Sequence, residues 1–123
     1  MATDTALDAA LPVDPTGINA VVWTDGRLDL LDQRRLPQDV RRVVCEDVDA
    51  VILSIRDMVV RGAPAIGVSA AYGAVLAARE RLRRDGTNWH AGFLHDLERL
   101  RQARPTAVNL GWAVDRMRAA AAQ

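Results

Sequence analysis

The hydrophobic pattern of the chain changes period once, at Asp47, and that change limits what it can fold into. Before it, Ile18-Asn19-Ala20-Val21-Val22-Trp23 and the alternating Arg27-Leu28-Asp29-Leu30-Leu31 flank Asp25-Gly26, a dipeptide suited to a tight hairpin turn. Arg42-Val43-Val44-Cys45-Glu46 is short and β-branched, which predicts a third strand. After it, Val51, Ile52, Ile55 and Met58 recur at three- and four-residue steps, predicting a helix capped by Asp47 and ending near Val59. Pro64 suits the first turn of a second helix, which runs through Ala65, Ile66, Ala70, Ala74 and Ala77 to Asp85-Gly86. Asn88 can cap a third helix with the apolar stripe Phe93, Leu94, Leu97 and Leu100. A fourth begins at Arg104-Pro105-Thr106 and buries Leu110, Ala113, Val114 and Met117. The expected fold class is α+β, a small N-terminal antiparallel three-stranded sheet followed by a mainly helical bundle of about four helices. Residues 1–12 are expected to form a flexible leader and 13–123 one domain.

With 123 residues, half of them apolar, the chain can bury a core of its own. Its single cysteine, Cys45, cannot form an internal disulfide and offers no paired spacing for zinc, so a cytoplasmic protein without a metal is expected. A net charge of zero excludes an unspecific nucleic-acid binder, which needs a basic surplus. The longest nearly apolar run, Gly62 to Ala78, contains Pro64 and Ser69 and is too short to suggest a membrane span. The charge is nevertheless uneven. Residues 1–50 carry five arginines against ten acids, whereas 51–123 carry eleven arginines against six acids, so the second part favours an anion.

Two places concentrate that preference. Arg61-Gly62-Ala63-Pro64 opens the second helix and Arg104-Pro105-Thr106 opens the fourth, each with arginine ahead of proline. Helix N-termini carry partial positive charge and unpaired N–H groups, so an arginine there is unfavourable by a few tenths of a kcal/mol to about 1 kcal/mol. A bound phosphate reverses the sign, and Gly62 would let the backbone approach it. The alternative is that Arg61 and Arg104 pair with acids such as Asp57 or Asp115 while Thr106 caps the last helix. Elsewhere, Cys45 lies among valines and is expected to be an inert core residue. His90 and His95 are five residues apart, the wrong spacing for a shared metal on one helical face. Asp32 and Gln33 could position a substrate hydroxyl or simply form a turn. Asn109 could reach a ligand or face water, and Trp23, Trp89 and Trp112 suggest core or interface.

The string Met58-Val59-Val60-Arg61-Gly62-Ala63-Pro64-Ala65-Ile66-Gly67, with Arg104-Pro105-Thr106-Ala107-Val108-Asn109-Leu110 downstream, resembles the methylthioribose-1-phosphate isomerase family. The resemblance extends to Leu31-Asp32-Gln33 followed by Leu36-Pro37 and to Trp112-Ala113-Val114-Asp115-Arg116-Met117. It implies an aldose-to-ketose isomerisation, 5-methylthioribose 1-phosphate to 5-methylthioribulose 1-phosphate, in methionine salvage. Residue by residue, the family's substrate-binding Arg-Gly-Ala falls on Arg61, Gly62 and Ala63, and its second binding arginine on Arg104. The family's catalytic cysteine and aspartate belong to a Rossmann-like second domain, so no catalytic residue is expected here, Cys45 included. The resemblance thus implies an N-terminal part that binds sugar phosphate without turning it over, no cofactor, and a homodimer for the full-length enzyme. The unfinished look of the Ala119–Ala122 run agrees with a chain cut before its next element. Ribose-1,5-bisphosphate isomerase, with a similar arginine-glycine start, and the non-catalytic regulatory subunits of initiation factor 2B are the alternatives; the Asp32-Gln33 to Leu36-Pro37 signature favours the methylthioribose enzyme.

Overall fold

The computed structural model describes residues 20–122, so the expected leader, Ile18 and Asn19 lie outside the described residues. Three strands, β1 (Val21–Thr24), β2 (Arg27–Leu31) and β3 (Arg42–Cys45), form an antiparallel sheet in sequence order. The Asp25-Gly26 turn sets the register, with Thr24 opposite Arg27 and Val21 opposite Leu30; β3 then pairs Cys45 with Leu28 and Val43 with Leu30. The period of two turns Leu28, Leu30 and Cys45 inward while Arg27 is exposed. Four α-helices follow among the described residues: α1 (Val48–Arg56), α2 (Ala63–Asp85), α3 (Trp89–Ala103) and α4 (Val108–Ala121). The expected α+β class is what the chain adopts.

The 23-residue α2 is the central element, packed by α1, α3, α4 and the inner face of the sheet. Its small residues Ala70, Ala74 and Ala77 are buried against Val51, Ile55, Leu97, Leu100, Leu110 and Val114. Trp23 stacks on Tyr72, with ring centroids 4.9 Å apart, and ties the sheet to α2. The far end of α2 is clamped to α3 by Asp96, which accepts from Arg81 Nε at 2.9 Å, Arg81 Nη2 at 3.1 Å and Arg99 Nη1 at 3.2 Å.

Two helix boundaries differ from the expectation. Asp47 caps α1 as expected, accepting from the Ala50 N–H at 2.9 Å, but the helix stops at Arg56 rather than near Val59. Met58 adopts a left-handed φ of 65°, the Val59 N–H reaches the Ser54 carbonyl at 2.9 Å, and the Met58 N–H reaches the Ile55 carbonyl at 3.3 Å. This is a Schellman-type stop with methionine where glycine is usual. The fourth helix starts at Val108, not at 104–106, because Arg104 ends α3 outside the helical region, with φ −148° and ψ 84°, and Ala107, in an extended conformation, is the N-cap. Thr106 therefore does not cap it. Asn88 occupies the N-cap of α3 without a side-chain capping bond, preceded by a single 3-10 turn over Gly86–Asn88.

Candidate functional site

The loop from Met58 to Gly62 leads from α1 into α2. Gly62 is the N-cap, with φ 92° and ψ 133°, and its carbonyl accepts from Ile66 at 2.9 Å. A Cβ added at Gly62 would meet no protein atom within 4 Å, so what requires glycine within the fold is its backbone conformation. Pro64 sits in the first turn of α2, where its missing N–H is harmless. One turn further on, a Cβ at Gly67 would lie 3.3 Å from the Asn109 carbonyl oxygen. This absence of a side chain brings the start of α4 against the start of α2.

The consequence is a shared cleft of about 390 Å³ between the two helix starts, lined by Met58, Arg61, Gly62, Ala63, Ile66, Arg104, Ala107, Val108 and Asn109. Arg61, Gly62, Ala63 and Arg104, 43 residues apart at their extremes, thus face one space. Neither helix has a side-chain cap or an acid in its first turn, and among the described residues no acid lines the cleft. Two N-terminal partial charges and two guanidinium groups therefore act in the same direction, which suits an anion.

The acids that might have neutralised those arginines are engaged elsewhere. Asp57 pairs with Arg56 at 3.3 Å and Asp115 with Arg101. Arg61 instead donates from Nη2 to the Gln33 carbonyl at 2.9 Å. Among the described residues Arg104 has no acidic partner within ion-pair distance. Asn109, left open by the sequence, lines the cleft half-buried.

The side chains of the remaining sequence candidates do not line the cleft. Cys45 is buried beside the Ser54 hydroxyl at 3.6 Å, and burial pushes its thiol pKa up, the reverse of nucleophile activation. His90 and His95 are exposed. Asp32 is buried, but its carboxylate is taken by Arg34, whose Nε and Nη2 each lie at 2.9 Å, and by Arg35 at 3.4 Å. The Arg34 hydrogen bond holds its pKa down to about 2. It forms a turn and does not present a group to a substrate. Trp112 is exposed, with the Arg116 guanidinium 5.0 Å above its ring. No helix of the described residues is long and apolar enough to cross a membrane.

The Initiation factor 2 subunit family profile matches residues 59–123, more than half the chain and the part that contains both arginine segments. The chain belongs to this family. Curated relatives include methylthioribose-1-phosphate isomerase of Azotobacter vinelandii, 56% identical over 101 residues, covering 82% of this chain and 28% of the relative. The methylthioribose-1-phosphate isomerase of Thioalkalivibrio sulfidiphilus is 54% identical over 106 residues, covering 86% and 30%. The chain thus spans less than a third of the length of these relatives. Among solved structures, 5-methylthioribose 1-phosphate isomerase from Pyrococcus horikoshii superimposes with a TM-score of 0.73 at 36% identity, over 79% of this chain and 27% of that one. Translation initiation factor eIF-2B, subunit delta, from A. fulgidus does so with a TM-score of 0.77, also at 36% identity, over 86% and 31%. The family therefore places this fold in proteins named for an isomerase and in proteins named for translation initiation. The residues of the cleft have to carry the choice between them.

Proposed function

We propose that this chain is the phosphate-gripping part of an S-methyl-5-thioribose-1-phosphate isomerase. The observation that carries the reading is the convergence of Arg61, Gly62, Ala63 and Arg104 on one cleft between two helix starts without side-chain caps, with no acid in its lining among the described residues. The 52–56% identity to curated isomerases supports it over the initiation-factor reading. The volume of about 390 Å³ suits a small ligand. Beside the two arginines the cleft is walled by Met58, Ile66, Ala107 and Val108, an apolar lining that a methylthio substituent would share.

The chemistry explains why the grip matters. In this substrate the anomeric oxygen is esterified, so the sugar cannot open as a free aldose does. The ring C1–O bond must break while hydrogen moves from C2 to C1. The C2 hydroxyl becomes the ketone, and its proton ends on the former ring oxygen. Holding the phosphate fixes C1 and C2 for that transfer. On this reading the chain binds substrate, while the reacting groups come from the remaining length of such an enzyme, which works in the cytoplasm as a homodimer on a small sugar phosphate, not on nucleic acid.

The test is a chimaera in which this chain replaces the matching segment of the Azotobacter vinelandii isomerase. The chimaera should turn over 5-methylthioribose 1-phosphate. Arg61→Ala and Arg104→Ala should each weaken substrate binding more than about tenfold, as loss of a charge-assisted phosphate contact of about 1.5–3 kcal/mol requires. Unchanged kinetics in both variants would remove the assigned site.

A further inference from the structure

Asp32 and Gln33 are a sequence motif that the cleft itself does not absorb, yet they touch it through one bond. The peptide of Gln33 is held on both sides by the loop that precedes α2: its N–H donates to the Val59 carbonyl at 2.8 Å, and its carbonyl accepts from Arg61 Nη2 at 2.9 Å. That carbonyl is the only hydrogen-bond acceptor found for Arg61 among the described residues. Asp32, 2% exposed, fixes the turn from the other direction. Its N–H donates to the Arg41 carbonyl at 2.8 Å, and its carboxylate accepts from the Arg34 N–H at 3.1 Å as well as from the Arg34 guanidinium.

We propose that the Asp32–Gln33 turn is the positioning element of the anion cleft: the Gln33 carbonyl anchors one arm of the Arg61 guanidinium, and buried Asp32 holds that carbonyl in place. Guanidinium is a planar fork with five N–H donors. With Nη2 tied at one edge, the plane is oriented before a ligand arrives and the other donors are left to meet it. A free arginine would have to lose side-chain rotamer freedom on binding, and an anchored one has already lost it. Asp32 does not touch the ligand. It acts through Gln33 and Arg61 as a positioning residue.

The inference rests on the phosphate reading above, and its test separates the two. In the ligand-free 123-residue chain, the guanidinium nitrogen resonances of Arg61, identified by their loss in Arg61→Ala, should show restricted rotation. Asp32→Asn should release them, and Asp39→Asn, in the same connection between β2 and β3 but paired outward with Arg41 at 2.8 Å, should not. Calorimetry with 5-methylthioribose 1-phosphate should then show Asp32→Asn weakening binding about three- to tenfold, the span of one hydrogen bond. The same change made in Arg61→Ala should alter affinity less than about twofold. A merely structural role predicts an equal loss in both backgrounds and would overturn the proposal, as would unchanged Arg61 resonances in Asp32→Asn. If the wild type fails to bind the sugar phosphate, the function reading falls while the resonances still decide the positioning. Should Asp32→Asn not fold, Arg34→Ala removes both guanidinium bonds to the Asp32 carboxylate from a side chain that is 44% exposed; released Arg61 resonances are expected, and unchanged ones would overturn the proposal.

Discussion

Gly62→Ala tests whether the backbone conformation at the start of α2 belongs to the site or only to the fold. At φ 92° and ψ 133° the residue lies in a region that L side chains rarely adopt, and nothing within 4 Å of the added Cβ contributes a clash. The whole penalty is therefore conformational, about 1–3 kcal/mol. For a domain of this size that lowers the melting temperature by roughly 5–20 °C. The chain can relieve the strain only by rotating Gly62, which shifts Arg61 on one side and the first turn of α2 on the other, so affinity for 5-methylthioribose 1-phosphate should fall by about tenfold or more. Gly86→Ala is the matched control. That residue has φ 58° and ψ −127°, also with nothing within 4 Å, but it lies at the opposite end of α2 and lines no part of the cleft. Thermal unfolding followed by circular dichroism, with calorimetric titration of both variants, should show stability lost in each and affinity lost only in Gly62→Ala. Equal affinities in the two variants would refute the assignment of the 58–62 loop to the site, and an unchanged melting temperature in Gly62→Ala would refute the strain argument itself.

Asp96→Ala should destabilise the chain by about 3 kcal/mol in urea unfolding, because among the described residues it leaves Arg81, a largely buried guanidinium, with only Asp85 at 3.8 Å; a loss under about 0.5 kcal/mol would show that the clamp contributes nothing. Acid should destabilise the fold between about pH 4 and pH 2. Arg34 holds the Asp32 carboxyl down to about 2, and at Asp96 the raising effect of burial is outweighed by Arg81 and Arg99, so its pKa is lowered as well. Both groups bind protons more weakly folded than unfolded; their contribution is present above the ordinary carboxylate range and lost as pH falls through the folded values. An Asp32→Asn chain should therefore show a shallower acid limb in urea titrations repeated across that window. Met58→Gly should raise stability by up to about 1 kcal/mol by relieving a left-handed φ at a helix stop, and a fall in the melting temperature would mean that the methionine side chain packs more strongly than its backbone is strained.

The parts of this molecule that could be read from sequence are those where one local rule suffices. Asp25-Gly26 specifies a hairpin turn, Asp47 a cap, and Pro64 a first turn, and each stands where the pattern placed it. The misplaced boundaries arise where the rule's usual residue is missing. Helix α1 is stopped by Met58 in a left-handed conformation that signals itself only when glycine supplies it, and α4 starts from Ala107, whose methyl side chain cannot accept a capping hydrogen bond and so marks no cap. The site shows the same division at longer range. That Arg61 and Arg104 sit oddly for helix starts was legible, because the electrostatics of a helix end depend on a few neighbouring residues. That they meet was not, since it depends on Gly67 admitting the backbone of Asn109, a contact between residues 42 positions apart. For Asp32 and Gln33 the sequence leaves two readings open, side chains that position a substrate hydroxyl or a turn, and the fold takes the turn: it buries the carboxylate and uses a main-chain carbonyl, which every residue possesses and no sequence pattern marks. It follows that replacing the Gln33 side chain should leave Arg61 anchored while replacing Asp32 should not, so the pair separates what the motif encodes from what its letters display.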